Sequence, residues 1–323
     1  MILVPDPRQP GDYASLDVEI RPATHDDYEA VVAFTEDTWS ERNGGDYIPS
    51  IYHEWIDKES AKTLVADAGD ELAGIAQVVA LNEDEAWCQG MRTNPDYRGQ
   101  NISVAINLGL FEWARERGVT IARNMVFSWN TAGLGASRGI GYEPATEFRW
   151  ATPDPDHEAE VDKEFSVVGD PGSAWTYWSG SEARDHLKGL ALSTEESWAV
   201  DTLTRETLTW ATDETALLGL EGDRGMMGMA FRTRDYERED EEGETTQYAE
   251  YGVGAWEDIH AARSLFAAIA HDAAGIGADE TRVLIPETAR HVSDTAYVRA
   301  DISEDPDFVM EADLTAEYPQ QPW

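Results

Sequence analysis

Residues 98–103 read Arg-Gly-Gln-Asn-Ile-Ser and stand between a strand-like run, AWCQGMRT (86–93), and an apolar-periodic run that begins at Ile102. A glycine-bearing turn at the mouth of a helix leaves consecutive N–H groups without intrahelical partners, at the positive end of the helix dipole. Such a turn cradles an anion, and Arg98 adds a full charge to its rim. The amides from Gly99 to Ser103 are enough to span two phosphates in succession. A second string, Gly135-Ala136-Ser137-Arg138-Gly139, has the spacing of a serine-hydrolase nucleophile elbow. That elbow needs a strand ending directly before the serine and a helix starting directly after it. Here about eight residues separate the end of the preceding strand-like run from Ser137, and another strand-like run follows, which argues against a hydrolase. Gly252-Val253-Gly254 is too short for a dinucleotide fingerprint, and no GxxxxGK[ST] string occurs. The seven histidines are scattered and the single Cys88 has no Cys/His cluster around it, so no metal is expected and no intramolecular disulfide is possible.

The charge balance frames the arginine turn. The 323 residues carry 64 Asp and Glu against 24 Lys and Arg, a formal net charge of −40. Such a surface repels itself in dilute buffer, a repulsion that molar salt screens to within about 3 Å. The acids are spread along the whole chain, as in cytoplasmic proteins of salt-in halophiles, and binding to nucleic acid is disfavoured. Residues 89–149 depart from this background, with seven arginines against five acids. A window of net positive charge in so acidic a chain is expected to face a polyanion. Hydrophobic content of 41% with 12 Trp and 12 Tyr indicates packed cores. No apolar run approaches the 18 residues of a membrane span, and MILVPDPRQPGDY lacks the n-region and apolar stretch of a secretory signal. A cytoplasmic protein without membrane partners, monomeric or homodimeric, is expected.

The elements that must position the turn follow from periodicity. VEIRPAT (18–24) alternates as a strand, and two helical runs follow, 25–39 and 50–60. Three strand-like runs come next (63–69, 71–81 and 86–93). The helix from Ile102 to Gly118 carries apolar or small residues at 102, 105, 106, 109, 110, 113 and 114, one buried face. A strand over 120–129, a loop or weak helix over 130–141 and a strand over 142–151 complete this half. Trp113 and Trp129 read as core. The proline-bearing acidic stretch 152–164 marks a boundary, giving domains at 1–153 and 166–323 with a linker at 154–165. The second half repeats part of the order: strands at 215–222, 225–233 and 247–254, an acidic loop at 235–246, a helix at 259–275 and a strand at 281–287. This is a tandem α/β (α+β) arrangement.

The turn, its strand and its helix together resemble the acyl-CoA pyrophosphate loop of the GCN5-related N-acetyltransferases (GNATs), which reads R/Q-x-x-G-x-G/A. Met91-Arg92-Thr93-Asn94-Pro95 resembles that family's fourth strand, and Asn130 with Gly141-Tyr142 resembles its N…G-F segment. The resemblance covers roughly residues 17–150. Residues 44–55 and the second half are similar, more loosely, to the two-domain branch that includes histidine N-acetyltransferase. The resemblance implies tandem domains, each a mixed, mostly antiparallel sheet flanked by helices, with the second copy degenerate. It implies transfer of an acetyl group from acetyl-CoA to a primary amine of a small molecule or peptide. The cofactor-binding residues would be Met91, Arg92, Thr93, Arg98, Gly99, Gln100, Asn101, Ile102, Ser103 and Asn130. Asp46 and Tyr47 fall where the family closes over its acceptor, and Glu85 is the carboxylate best placed to be a base. The family often has a tyrosine seven residues after the asparagine, as acid for the leaving thiolate; here Ser137 stands there. Asn101 and Ser103 replace the glycine and the Gly/Ala of the loop. These departures leave open a non-catalytic acyl-CoA-binding module. In the second half, Glu257 and Asp258 stand where phosphates would sit, so only the first half is expected to bind CoA.

Overall fold

The computed structural model describes residues 18–36, 38, 45–239, 243 and 245–316. They form two compact units, neither of them a continuous stretch: the first gathers the residues up to Val126, Asn130–Pro144 and those from Met310 on, the second Phe127–Trp129 and Ala145–Val309.

In the first unit, β1 (Glu19–Pro22), α1 (Tyr28–Thr35), α2 (Ile48–Asp57), β2 (Ala61–Asp67), β3 (Leu72–Ala80), β4 (Glu85–Thr93), α3 (Ile102–Arg115), β5 (Ile121–Phe127) and α4 (Thr131–Ile140) follow in order. Strands β1 to β4 are antiparallel neighbours, and β4 and β5 are parallel. The run LAGIAQVVA of β3 is apolar because both faces are covered. On one face Ala76 and Val78 meet Ile102, Ile106, Leu110 and Phe111 of α3. On the other, Ile75 meets Ile48, Tyr52 and Trp55 of α2. The far edge of β5 is closed by residues from the chain's end: the Leu314 amide donates to the Thr120 carbonyl at 2.8 Å, and Met310, Ala312 and Leu314 enter the core.

To the second unit belong β6 (Glu143–Thr152) from Ala145 on, β7 (Ser166–Val168), α5 (Pro171–Ser179), α6 (Glu182–His186), β8 (Leu190–Leu192), β9 (Val200–Thr202), α7 (Arg205–Glu214), β10 (Ala216–Gly222), β11 (Gly225–Glu239), β12 (Thr245–Trp256), α8 (Ile259–Gly275), β13 (Glu280–Pro286), α9 (Ala289–Tyr297), β14 (Asp301–Ile302) and the start of β15 (Asp307–Asp313), whose residues from Met310 on belong to the first. Its sheet runs β7-β10-β11-β12-β13-β6. The succession β10-β11-β12-α8-β13-α9 repeats β2-β3-β4-α3-β5-α4, the tandem order expected. Both units are mixed and mostly antiparallel.

The structure differs from the sequence expectation at three places. The stretch 154–165 is no linker: it lies along α8 within the second unit, with the Asp156 amide on the Ala270 carbonyl, the Asp162 amide on Ser264 Oγ and the Asp162 carboxylate paired with Arg263. Boundaries at 153 and 166 therefore do not coincide with the compact units, because β6 pairs with β13 while residues 310–314 return to β5. Residues 130–141 form a full helix, α4, capped by Asn130. The acidic stretch 235–246 is strand over much of its described length, since Tyr236 stacks on Tyr248 at 5.3 Å and the β11–β12 ladder continues past them.

Candidate functional site

Strands β4 and β5 pair only from Glu85↔Ile121 to Trp87↔Arg123, and then both run on without pairing. A bulge in β4 accompanies the parting: Ile75 faces Arg92 and Gln77 faces Gln89, so Gly90 and Met91 together oppose Ala76. Gly90 has φ +63°, and a Cβ there would lie 2.1 Å from the Trp55 ring, so only glycine fits. The Asn94 amide donates to the Ala73 carbonyl in β3. By the alternation of an antiparallel ladder, the main-chain groups of Thr93 and Met91 point the other way, toward the open edge. An extended amide-bearing chain can pair there as an added strand.

Directly beyond β4 the chain makes a 3-10 turn over Pro95–Tyr97, capped by Asn94, and enters the Arg98–Ser103 turn. Gly99 (φ +76°) and Asn101 (φ +61°) are both left-handed, and Asn101 is the residue before α3. Asparagine is among the few residues other than glycine that adopt this conformation readily, which answers its replacement of the motif glycine. Among the described residues, the amides of 99–104 donate to no protein acceptor, while the Ala105 amide closes on the Asn101 carbonyl at 3.1 Å. The first turn of α3 contains no acid. Arg98, Gly99, Gln100 and Asn101 are exposed, and Ile102 buries its side chain while leaving its amide in the row. Exposed amides at a helix N-terminus beside an arginine form an anion site, and its neighbour is the open edge of β4.

On the α2 side of that edge, Arg92 and Asp46 form a two-pronged ion pair at 2.5 and 3.2 Å, with the Asp46 side chain fully buried. The second Asp46 oxygen also accepts from the Ile48 amide. Tyr47 is 42% exposed, its ring centroid 5.4 Å from the Arg92 guanidinium carbon. Asp46 thus secures the start of α2 onto β4, and Tyr47 is the member of the expected pair that faces solvent.

Four further sequence assignments need correction. Glu85 sits at the closed end of β4, roughly 25 Å along the strand from Thr93, and its carboxylate holds Arg123 at 2.7 Å and Asn82 at 3.0 Å. Arg123 also binds Glu311 at 2.8 Å, so Glu85 belongs to a structural ion-pair network and not to the open edge. Ser137 is buried in the middle of α4, its Oγ 3.2 Å from Asn124 Nδ2, a setting that suits neither a proton donor at the edge nor a nucleophile elbow. Asn130 spends its carbonyl oxygen capping α4 through the Gly133 amide. Arg92 turns its main-chain groups toward β3, opposite to those of Met91 and Thr93, and its guanidinium is committed to Asp46. Cys88 faces α3, where burial pushes its thiol up to about 12. Sequence reasoning missed a buried hydrogen-bond line, Thr63–Gln77–Gln89, that crosses β2, β3 and β4 on the α2 side. The signal was a glutamine inside the apolar run of β3.

The counterpart region of the second unit is closed. β12 and β13 pair from Tyr248 to Tyr251 and then part, but the buried Trp256 indole, bonded to Asp294 at 3.0 Å, packs against His291 there. At the head of α8 the Asp258 carboxylate accepts from the His260 and Ala261 amides. The Ala261 amide holds that carboxyl below its usual range. A helix N-terminus capped by a carboxylate repels phosphate.

Residues 28–142, within the first unit, match the sequence profile of the acetyltransferase (GNAT) family. No curated protein matches the sequence. Among solved structures, a GCN5-related N-acetyltransferase from Sphaerobacter thermophilus superposes with a TM-score of 0.59 at 12% identity, over 94% of this chain and 96% of that one. A candidate acetyltransferase from Thermoplasma acidophilum gives 0.55 at 14% identity, over 91% and 99%. At these identities the likeness is one of fold, and it extends through both units.

Proposed function

We propose that the first unit is an acetyl-CoA-dependent N-acetyltransferase acting on a primary amine of a small molecule or peptide. The observation that carries this reading is the row of unpartnered amides from Gly99 to Val104, held by two left-handed residues and set beside the open edge of β4. Acetyl-CoA fits this chain's donors: the amides of 99–104 and Arg98 would hold its diphosphate, and the main chain of Met91 and Thr93 would pair with its pantetheine amides. When bound it supplies an acetyl group activated as a thioester. The protein's share of the work is positioning, by placing a main-chain N–H near the carbonyl oxygen and an amine opposite the carbonyl carbon. An ammonium acceptor sheds one proton before attack and a second on forming the amide; one passes to the departing thiolate and the other to solvent. Glu85 and Asp46 are both engaged in ion pairs away from this task, which favours water as the carrier.

The test is thiol release from acetyl-CoA in molar salt, across amino acids, polyamines, aminoglycosides and peptide N-termini. Amine-dependent release is expected. Tight CoA binding without release under any acceptor would select the non-catalytic acyl-CoA-binding module, a reading favoured by the burial of Ser137. Absence of both binding and release would refute the assignment. The second unit is expected to bind no CoA.

A further inference from the structure

We propose that the side-chain carbonyl of Gln89 receives the N–H of the acceptor amine. The inference rests on the acetyltransferase reading of the open edge and names one residue that serves it.

The argument is one of hydrogen-bond direction. Gln77 is fully buried in β3, and its Nε2 lies 3.1 Å from the Trp55 carbonyl and 3.0 Å from Thr63 Oγ1. A main-chain carbonyl only accepts, so the NH2 end of Gln77 is committed to Trp55. Its Oε1 must then face β4, where it accepts from Gln89 Nε2 at 2.9 Å. That bond orients Gln89 in turn. Its NH2 end points inward along the line and its Oε1 points away from it. Turning the Gln89 amide over would bring two carbonyl oxygens together in a buried setting, which costs both a hydrogen bond and a repulsion. Trp55, the anchor of the line, is itself fixed by its close packing on Gly90.

Gln89 stands two residues past the last β4–β5 pair, at the beginning of the open edge, and is half-buried. It shares the α2-side face with Arg92, since their partners in β3 are Gln77 and Ile75. Among the described residues nothing donates to its Oε1. The nearby guanidinium of Arg92 is neutralised by Asp46, so a neutral, oriented acceptor remains. Its complement is a donor: an ammonium, an amine or the N–H of the product amide. Gln89 is a positioning residue, set to hold the nitrogen while the carbonyl carbon is presented from the pantetheine side.

A pair of probes tests this without knowledge of the natural acceptor. CoA is alkylated on sulfur to carry either an N-methylacetamide or an N,N-dimethylacetamide group, so that one analogue has the amide N–H and the other lacks it. Calorimetry in molar salt should show the N–H analogue binding roughly tenfold more tightly to the native protein, in line with one hydrogen bond. Gln89→Met should abolish that preference while leaving the affinity for CoA itself unchanged. Gln77→Met, which frees Gln89 to turn, should reduce it. Equal binding of the two analogues to the native protein would overturn the proposal, and this comparison requires no variant to fold. A preference that survives in Gln89→Met would do the same. Failure of CoA and both analogues to bind would instead overturn the acetyltransferase reading on which the proposal stands.

Discussion

Reversing the charge at Arg98 isolates the electrostatic part of the proposed diphosphate site. The side chain is exposed, and among the described residues it makes no hydrogen bond or ion pair, while the turn owes its shape to Gly99 and Asn101. Arg98→Glu should therefore leave the fold intact. Two unit charges at a contact of ~5 Å, in an effective dielectric of ~40–80, interact by about 0.8–1.7 kcal/mol. Reversal changes the charge by two units, so CoA binding should weaken by ~2–3 kcal/mol, roughly 30- to 150-fold. Arg98→Gln should lose about half of that free energy, and the row of amides should account for the affinity that remains. Calorimetry with CoA and with 3′-dephospho-CoA is the assay, since both carry the diphosphate and should lose equally. Native affinity should also rise with salt up to molar levels. Salt screens the repulsion between a polyanion and a chain of net charge −40, whereas contacts shorter than the Debye length persist. Unchanged affinity in Arg98→Glu would refute the assigned loop, and a loss confined to CoA would move Arg98 to the 3′-phosphate.

Three other outcomes follow from particular residues. Asn101→Gly keeps the left-handed turn and should hold CoA affinity within about threefold, whereas Asn101→Val strains it by ~1–2 kcal/mol and should weaken binding about tenfold in the same titration. Asp307 is buried, accepts from Trp150 Nε1 at 3.0 Å, and burial pushes its carboxyl up to about 6. Because the folded value lies above an unfolded value near 3.9, the native state binds the proton more tightly, and stability falls as pH rises between about 4 and 6. Asp307→Asn should thus gain up to ~3 kcal/mol at pH 8 relative to pH 4, and denaturant titrations at the two pH values that show equal effects would exclude this. A chain ended at residue 305 loses Met310, Ala312 and Leu314 from the core of the first unit, worth about 4–6 kcal/mol. Thermal melting should show that unit unfolded or much weakened, even though every residue of its CoA loop is retained.

The parts of the fold written in local pattern were legible from residue order. The buried face of α3 falls on Ile102, Ala105, Ile106, Leu110 and Ala114 as its spacing indicates, and the second unit's repeat of strand and helix order shows in the same way. Partners distant in sequence were not legible. Asp46 and Arg92 are 46 residues apart, Glu85 and Arg123 are 38 apart, and Glu311 lies 188 from Arg123. Periodicity assigns a residue to a face and is silent on what meets it there, so Glu85 read as a base when its actual neighbour is a buried arginine. The closing of β5 by residues 310–314 escaped for the same reason. A deeper cause lies in the composition. With 64 acids in the chain, a carboxylate at a strand end is common, and its presence there says almost nothing about proton transfer. The informative residues are those that the background disfavours: an exposed arginine ahead of α3, an asparagine where the backbone turns left-handed, and a glutamine inside the apolar strand β3. An uncharged amide in a buried strand must direct its donors and acceptors somewhere. Following that requirement from Trp55 through Gln77 leads to Gln89 at the open edge, a place no count of carboxylates would have indicated.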